Sequence, residues 1–309
     1  MKIDLKNRPL RILMVSEDVP HPSMGGLGQH AVNLARALAM AGHQVDFMGN
    51  CQFPYDAAAQ ASSALPGKFF PELRPRFGAW KEHRLGFFNP LRRSVLARDL
   101  ARAILRRAAD YDAVHYHGHA PDVGLFIPQG VNFVQTRHDQ GSDCIIHVRF
   151  RQDAICAETD PRACATCIAK APNPAQIALS TLAVRQYRAR VKAAFRRHKT
   201  LFVSDMLRRN FARTAGAGPW GRVVHNFIDL ERVRRAIASP RRAGDLPQDA
   251  RVIAFAGKLY PPKGIGLFLA HAVPRLADGT YIVVIGDGPQ ERALHAAYGD
   301  GRVRFLGWR

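Results

Sequence analysis

Short apolar runs alternate with longer amphipathic stretches along most of the chain. Arg11–Val15 (RILMV), Val45–Gly49, Ala113–Tyr116, Val131–Thr136 and Leu201–Ser204 are four to six residues long and rich in branched or aromatic side chains, which predicts buried strands. Between them, Val32, Leu34, Ala35 and Leu38 recur at helical spacing as far as Gly42. Leu96, Leu100, Ile104 and Ala108 line one face of a predicted helix over Ser94–Ala109, with Arg98, Arg102 and Arg106 on the opposite face. Pro174–His198 and Asp205–Thr214 predict two further helices, the second with Asp205 as its amino cap. Cys51–Pro90 has no clear period and reads as an irregular surface insertion.

Pro240–Pro247 has the Pro, Gly and charge content of a linker, and it divides the chain into predicted domains at 1–239 and 240–309. Beyond it, Arg251–Ala256 (RVIAFA) predicts a strand buried on both faces, followed by strands at Tyr281–Ile285 and Arg302–Leu306. Helices are expected after Gly264 and from about Gln290. Strands alternating with helices argue for parallel, doubly wound α/β domains.

With 309 residues and 47% hydrophobic content, the chain has enough apolar material for two cores. No apolar run is long enough to span a bilayer, and Met1–Leu10 lacks the apolar centre of a secretion signal, so the expected location is the cytoplasm. The net charge of +20 comes mainly from dispersed arginine and favours anionic partners. Those basic residues form no zinc-finger or RRM signature, which argues against nucleic acid. The arginine face of Ser94–Ala109 reads as a solvated helix back, with peripheral contact to an anionic membrane as the alternative.

Candidate chemistry sits on the turns. Gly25, Gly26 and Gly28 open the first helix, but the third position of a dinucleotide fingerprint is Ala31 and the next strand ends without an acid, so a nicotinamide site is a poor reading. Close backbone approach to a phosphate and a tight turn at positive φ remain the two readings of Gly26. His117 and His119 follow one strand and His138 another, where histidine can hydrogen-bond, shuttle a proton or simply pack. Phe255–Gly266 (FAGKLYPPKGIG) places Lys258 and Lys263 on one strand-to-helix loop, beside free backbone N–H groups. Gly286 and Gly288, in GDGP, open another such edge. Cys144, Cys156, Cys164 and Cys167 fall within 24 positions and end in CxxC, which leaves structural zinc, free thiols and a redox or disulfide role open.

In this order, the GG loop, the histidine after a strand, the SDM-to-NFID corner, the GK-to-KG loop, GDGP and VRFLG resemble the glycosyltransferase family 4 enzymes of the GT-B fold. The resemblance implies two Rossmann-like domains, the second incomplete here with three strands against about six in a full doubly wound half. It also implies transfer of a sugar from a UDP-, GDP- or ADP-linked donor to a glycan or lipid-linked acceptor, with retention and without a required metal cofactor. Lys258 and Lys263, five positions apart, take the places of the family's basic pair on the donor diphosphate, the first being arginine more often. The resemblance further puts the Gly26 backbone on the phosphate, His138 beside the donor sugar with His119 or His117 second, and Asn226, Gly286 and Gly288 along the cleft. It implies that the acceptor lies on the amino-terminal domain, which carries the cysteine-rich insertion at about 140–170. The family's paired glutamates have no counterpart before Arg309, so a truncated chain is expected. An inactive sugar- or membrane-surface-binding protein is accordingly the alternative, and a zinc-dependent nucleic-acid binder built on the cysteines is a third reading.

Overall fold

A computed structural model describes residues 8–21, 24–56, 64–74, 88–168, 173–238, 246–299 and 301–308. The chain divides into two compact units, Met1–Arg149 with Ala157–Asp229, and Phe150–Cys156 with Leu230–Arg309. In chain order the elements begin with β1 (Arg11–Val15), α1 (Gly26–Met40), β2 (Gln44–Asn50) and β3 (Phe69–Leu73). They continue with β4 (Ala113–His117), β5 (Phe133–Arg137), a hairpin of β6 (Phe150–Arg151) and β7 (Ala154–Ile155), then β8 (Lys199–Phe202) and β9 (Arg222–Val223). The remaining strands are β10 (Arg251–Ala256), β11 (Thr280–Ile285) and β12 (Val303–Phe305).

In the first unit a seven-stranded sheet runs β3-β2-β1-β4-β5-β8-β9, every neighbouring pair parallel. Strand alternation explains why β1 is apolar throughout. Leu13 and Val15 enter a core with Leu96, Leu100 and Ile104 of the helix Phe88–Leu105, whereas Ile12 and Met14 enter another with Val32 and Ala35 of α1. Helices therefore cover both faces of the sheet, the doubly wound arrangement. A third core joins Val184, Tyr187 and Phe195 of the helix Pro174–Arg197 to Phe202, Phe211 and Trp220. The arginine face is paired in part, Arg102 with Asp99 at 3.4 Å and Arg106, just beyond the helix Phe88–Leu105, with Glu72 at 3.4 Å. No helix among the described residues is long and apolar enough to cross a membrane.

In the second unit, β10, β11 and β12 form a parallel sheet with β11 central. Leu259, Ile265, Leu269, Ile282, Val284, Leu294 and Val303 form its core.

Several elements depart from the sequence expectation. Part of Cys51–Pro90 is strand β3 and the beginning of the helix Phe88–Leu105, while residues 57–63 and 75–87 of that stretch lie outside the described residues. β3 escapes pattern reading because Pro71 interrupts it, and proline is tolerated there because β3 is an edge strand. β10 is not buried on both faces: among the described residues it pairs only with β11, and Val252 and Ile253 are 50% and 41% exposed. Leu230–Ala238 forms a helix where none is expected. Most of the expected linker, residues 240–245, lies outside the described residues.

Candidate functional site

β1 pairs with β2 on one side and β4 on the other, so the connections reverse direction there, and the carboxyl ends of β1, β4 and β5 meet at this switch point. Their loops are tied together by charge. Glu17, just beyond β1, accepts from the Tyr116 hydroxyl at 2.8 Å and the His119 backbone N–H at 2.7 Å. His119 spans two carboxylates, with Nδ1 3.0 Å from Asp139 Oδ2 and Nε2 3.2 Å from Asp18 Oδ1. Asp139 also meets His147 Nδ1 at 3.1 Å and accepts from Arg137 Nη2 at 3.3 Å. Arg137 is wholly buried and donates from Nη1 to the Gly118 carbonyl at 2.6 Å and from Nε to Ser142 Oγ at 3.2 Å.

These contacts set the protonation states. Burial pulls the His119 imidazole down, but hydrogen bonds to Asp139 and Asp18 outweigh it and hold the pKa well above the usual value. Burial pushes Asp139 up, yet His147, His119 and Arg137 prevail and keep it well below the usual carboxylate range. His119 and Asp139 thus form a charge-assisted pair.

A second group has the opposite character. His117 Nδ1 lies 3.0 Å from His138 Nε2, and His30 of α1 packs on both, with ring centroids 5.6 Å and 5.1 Å away. His115 stacks against His117 with centroids 4.2 Å apart and bonds Thr136 Oγ1 through Nε2 at 2.8 Å. Burial lowers all four pKa values, that of His138 to about 3 and that of His115 to about 4. At neutral pH these rings are uncharged. A base so weak is a poor proton acceptor, but its ring N–H remains a hydrogen-bond donor.

One helical turn before His30 lies the glycine loop. Gly25 caps α1 without a side-chain hydrogen bond, and the first turn holds no acidic residue. Gly26 is exposed and helical, not at positive φ, and a Cβ there would meet no atom within 4 Å. The tight-turn reading of Gly26 therefore fails, and nothing among the described residues demands glycine at that position. The first backbone N–H groups of α1 and its dipole favour an anion there. Asn226 is exposed in the loop after β9, and its neighbour Phe227 meets the His30 ring edge-on at 5.4 Å. The first unit thus joins His30, His117, His119, His138 and the Phe227 corner around one strand-tip region.

In the second unit, Lys258 and Lys263 are exposed and form no ion pair among the described residues. Gly264, at φ 72°, stops the one-turn helix carrying Lys263 and starts the helix Ile265–Ala272. The lysine loop and the glycine loop after β11 are zipped together by Leu259 N–H to Asp287 O at 2.7 Å and Gln290 N–H to Leu259 O at 3.0 Å. That contact explains Gly286 and Gly288 structurally: at φ 134° and 154°, an added Cβ would lie 2.0 Å from Gly257 O and 2.5 Å from Leu259 O. Gly286→Ala is accordingly expected to destabilise this unit by about 1–3 kcal/mol, the scale of a disfavoured backbone region, read as a lower urea midpoint.

The cysteines do not assemble in the same way. Among the described residues the groups spaced to hold a metal ion are His30, His117 and His138, and His119, Asp139 and His147, and neither includes a cysteine. Arg188 donates to Cys164 Sγ at 3.1 Å, and burial raises the Cys144 pKa. Glu17 and Asp18 had no signal in local patterning, because their partners Tyr116 and His119 lie about a hundred residues away, and Arg137 and His147 meet Asp139 only once the loop after β5 is folded. The histidine tips and glycine starts were legible.

Residues 24–232 match the family described as Glycosyltransferase Family 4. The chain is similar to glycogen synthase of Mycobacterium tuberculosis, at 35% identity over 117 residues, which is 35% of this chain. That match spans only 28% of the length of the curated relative. Among solved structures, Anabaena Alr3699/HepE is similar in two complexes at 14% identity, each covering 97% of this chain. The complex with UDP and glucose has a TM-score of 0.55 over 70% of that chain, and the complex with UDP 0.54 over 69%. At this identity the likeness shows the GT-B fold alone.

Proposed function

The chain belongs to glycosyltransferase family 4, and from that premise we propose that it moves a sugar from a nucleoside diphosphate sugar to a hydroxyl of a glycan or lipid-linked acceptor, with retention of configuration. The observation that carries this reading is the pairing, in one unit, of a glycine helix start without a side-chain cap and the neutral His138, packed at 5.1 Å on His30 one turn into that helix. The first suits a phosphate, the second an uncharged sugar hydroxyl. Alr3699/HepE, of the same fold, is solved with UDP and with UDP-glucose.

In the reaction, the bond between the sugar's anomeric carbon and the diphosphate oxygen breaks. A bond to the acceptor oxygen forms, and the acceptor proton leaves with the departing diphosphate or with solvent. Negative charge grows on the diphosphate, so groups aimed there lower the barrier. Lys258 and Lys263 supply compensating positive charge, serving where other transferases use Mg²⁺, and the backbone N–H at Gly26 offers a hydrogen bond to a phosphate. His138 hydrogen-bonds the donor sugar.

The test is calorimetric titration of UDP, GDP and ADP, followed by donor hydrolysis in the absence of acceptor. Lys263→Ala should weaken affinity for the preferred nucleotide roughly tenfold, the scale of one charged hydrogen bond. Unchanged affinity would remove Lys263 from the site, and nucleotide binding without turnover would favour the inactive binding protein.

A further inference from the structure

Two histidine groups lie side by side at the strand tips, and they differ in what their nitrogens do. Both nitrogens of His119 are engaged by carboxylates, so its group with Asp139 and His147 is already held by ion pairs. In the group of His30, His117 and His138, a hydrogen bond joins His117 Nδ1 to His138 Nε2, and His30 meets both rings by packing. His30 Nδ1 is buried without a hydrogen-bond partner among the described residues, as is His117 Nε2, the ring nitrogen other than the one that faces His138. Buried polar atoms are ordinarily satisfied, so these mark a place where the protein alone leaves its polar chemistry incomplete.

The spacing is near that of a metal centre. One ring nitrogen from each of the three lies within 4.8 Å of the other two. Around a tetrahedral Zn²⁺ with bonds of about 2.0–2.1 Å, ligand nitrogens stand about 3.3 Å apart. The His117–His138 separation of 3.0 Å already approaches that edge, and the third ligand needs a shift on the order of 1 Å.

We propose that His30, His117 and His138 bind one divalent transition-metal ion of the zinc class, and that the bound ion shuts off transfer by taking His138 away from the donor sugar. Neutral imidazoles favour Zn²⁺, Co²⁺, Ni²⁺ and Cu²⁺ over Mg²⁺ and Ca²⁺, which prefer oxygen. His30 comes from α1, His117 from the end of β4 and His138 from the turn after β5, so the site forms only when the first unit is folded. The inhibitory part rests on the transferase reading above, whereas the binding part stands without it.

The protein is stripped with a chelator and titrated with Co²⁺, whose visible spectrum reports tetrahedral ligation. One Co²⁺ per chain is expected, displaced by Zn²⁺ but not by Mg²⁺, without the near-ultraviolet charge-transfer band that cysteine thiolates give. His30→Phe, which keeps a ring in the packing, should weaken binding at least 100-fold while the far-ultraviolet circular dichroism is unchanged. If that variant misfolds, the spectrum of the parent protein still decides between imidazole and thiolate ligands. Absence of stoichiometric Co²⁺, a thiolate band, or full affinity in a folded His30→Phe protein would overturn the site. Equimolar Zn²⁺ should reduce donor hydrolysis more than tenfold, with recovery on chelation. Undiminished hydrolysis at full occupancy would overturn the inhibition alone, and a metal-free protein that hydrolyses no donor would count against the transferase reading while the cobalt spectrum still judges the site.

Discussion

His138→Ala is expected to lower transfer by about 10²–10³-fold, the loss seen when one preorganised hydrogen-bond donor is removed from an active site. Affinity for the nucleoside diphosphate should change little, because the proposed phosphate contacts come from the Gly26 backbone, Lys258 and Lys263. The magnitude follows from the ring's surroundings. His138 is held by His117 at 3.0 Å and packed on His30, so it is already oriented before the sugar arrives. Burial keeps it neutral, so its N–H acts without a competing water shell. His138→Gln, which retains an N–H donor, should recover part of the loss. The measurement is single-turnover transfer or donor hydrolysis alongside nucleotide titration. Equal losses in affinity and turnover would assign His138 to general binding rather than to the reacting sugar.

Arg137→Ala is expected to destabilise the first unit by about 3–5 kcal/mol, because it leaves the buried partners of a charged side chain uncompensated. Arg137 has no solvent exposure, and its guanidinium joins Gly118 O at the end of β4, Asp139 after β5, and Ser142. Loss of that fork removes one of the cations holding Asp139 ionised and unpins the loop bearing His119. Arg137→Lys keeps the charge but not the three-way geometry, so an intermediate loss is expected. Denaturant unfolding monitored by circular dichroism gives both values. A loss below about 1 kcal/mol for the alanine variant would show that water replaces the guanidinium at no large cost.

Much of the scaffold was legible along the chain, since strands and helices announce themselves by period. The apolar run RILMV, the helical spacing from Val32 to Leu38, and the arginine-backed helix containing Leu96 and Ile104 all stand where their patterns place them. β3 was hidden by Pro71, which an edge strand tolerates. RVIAFA reads as a strand buried on both faces, yet the burial of β10 depends on neighbours that its own residues do not name.

Sequence by itself determined the residues at the tips: the glycines that start α1, the histidines that end β4 and follow β5, and the lysines on a strand-to-helix loop. Those follow from local rules, because turns and helix starts need particular backbone conformations and leave polar groups free. Only the tertiary structure decided which tips meet. The pairing of β1 with β4, about a hundred residues away in sequence, brings Asp18 to His119, and the covering of the sheet by α1 sets His30 against His117 and His138. The same pairing divides chemically identical imidazoles into a charged one between two carboxylates and neutral ones deep among their own kind. Charge state depends on desolvation and on partners within a few ångströms, and neither quantity exists until the chain has folded.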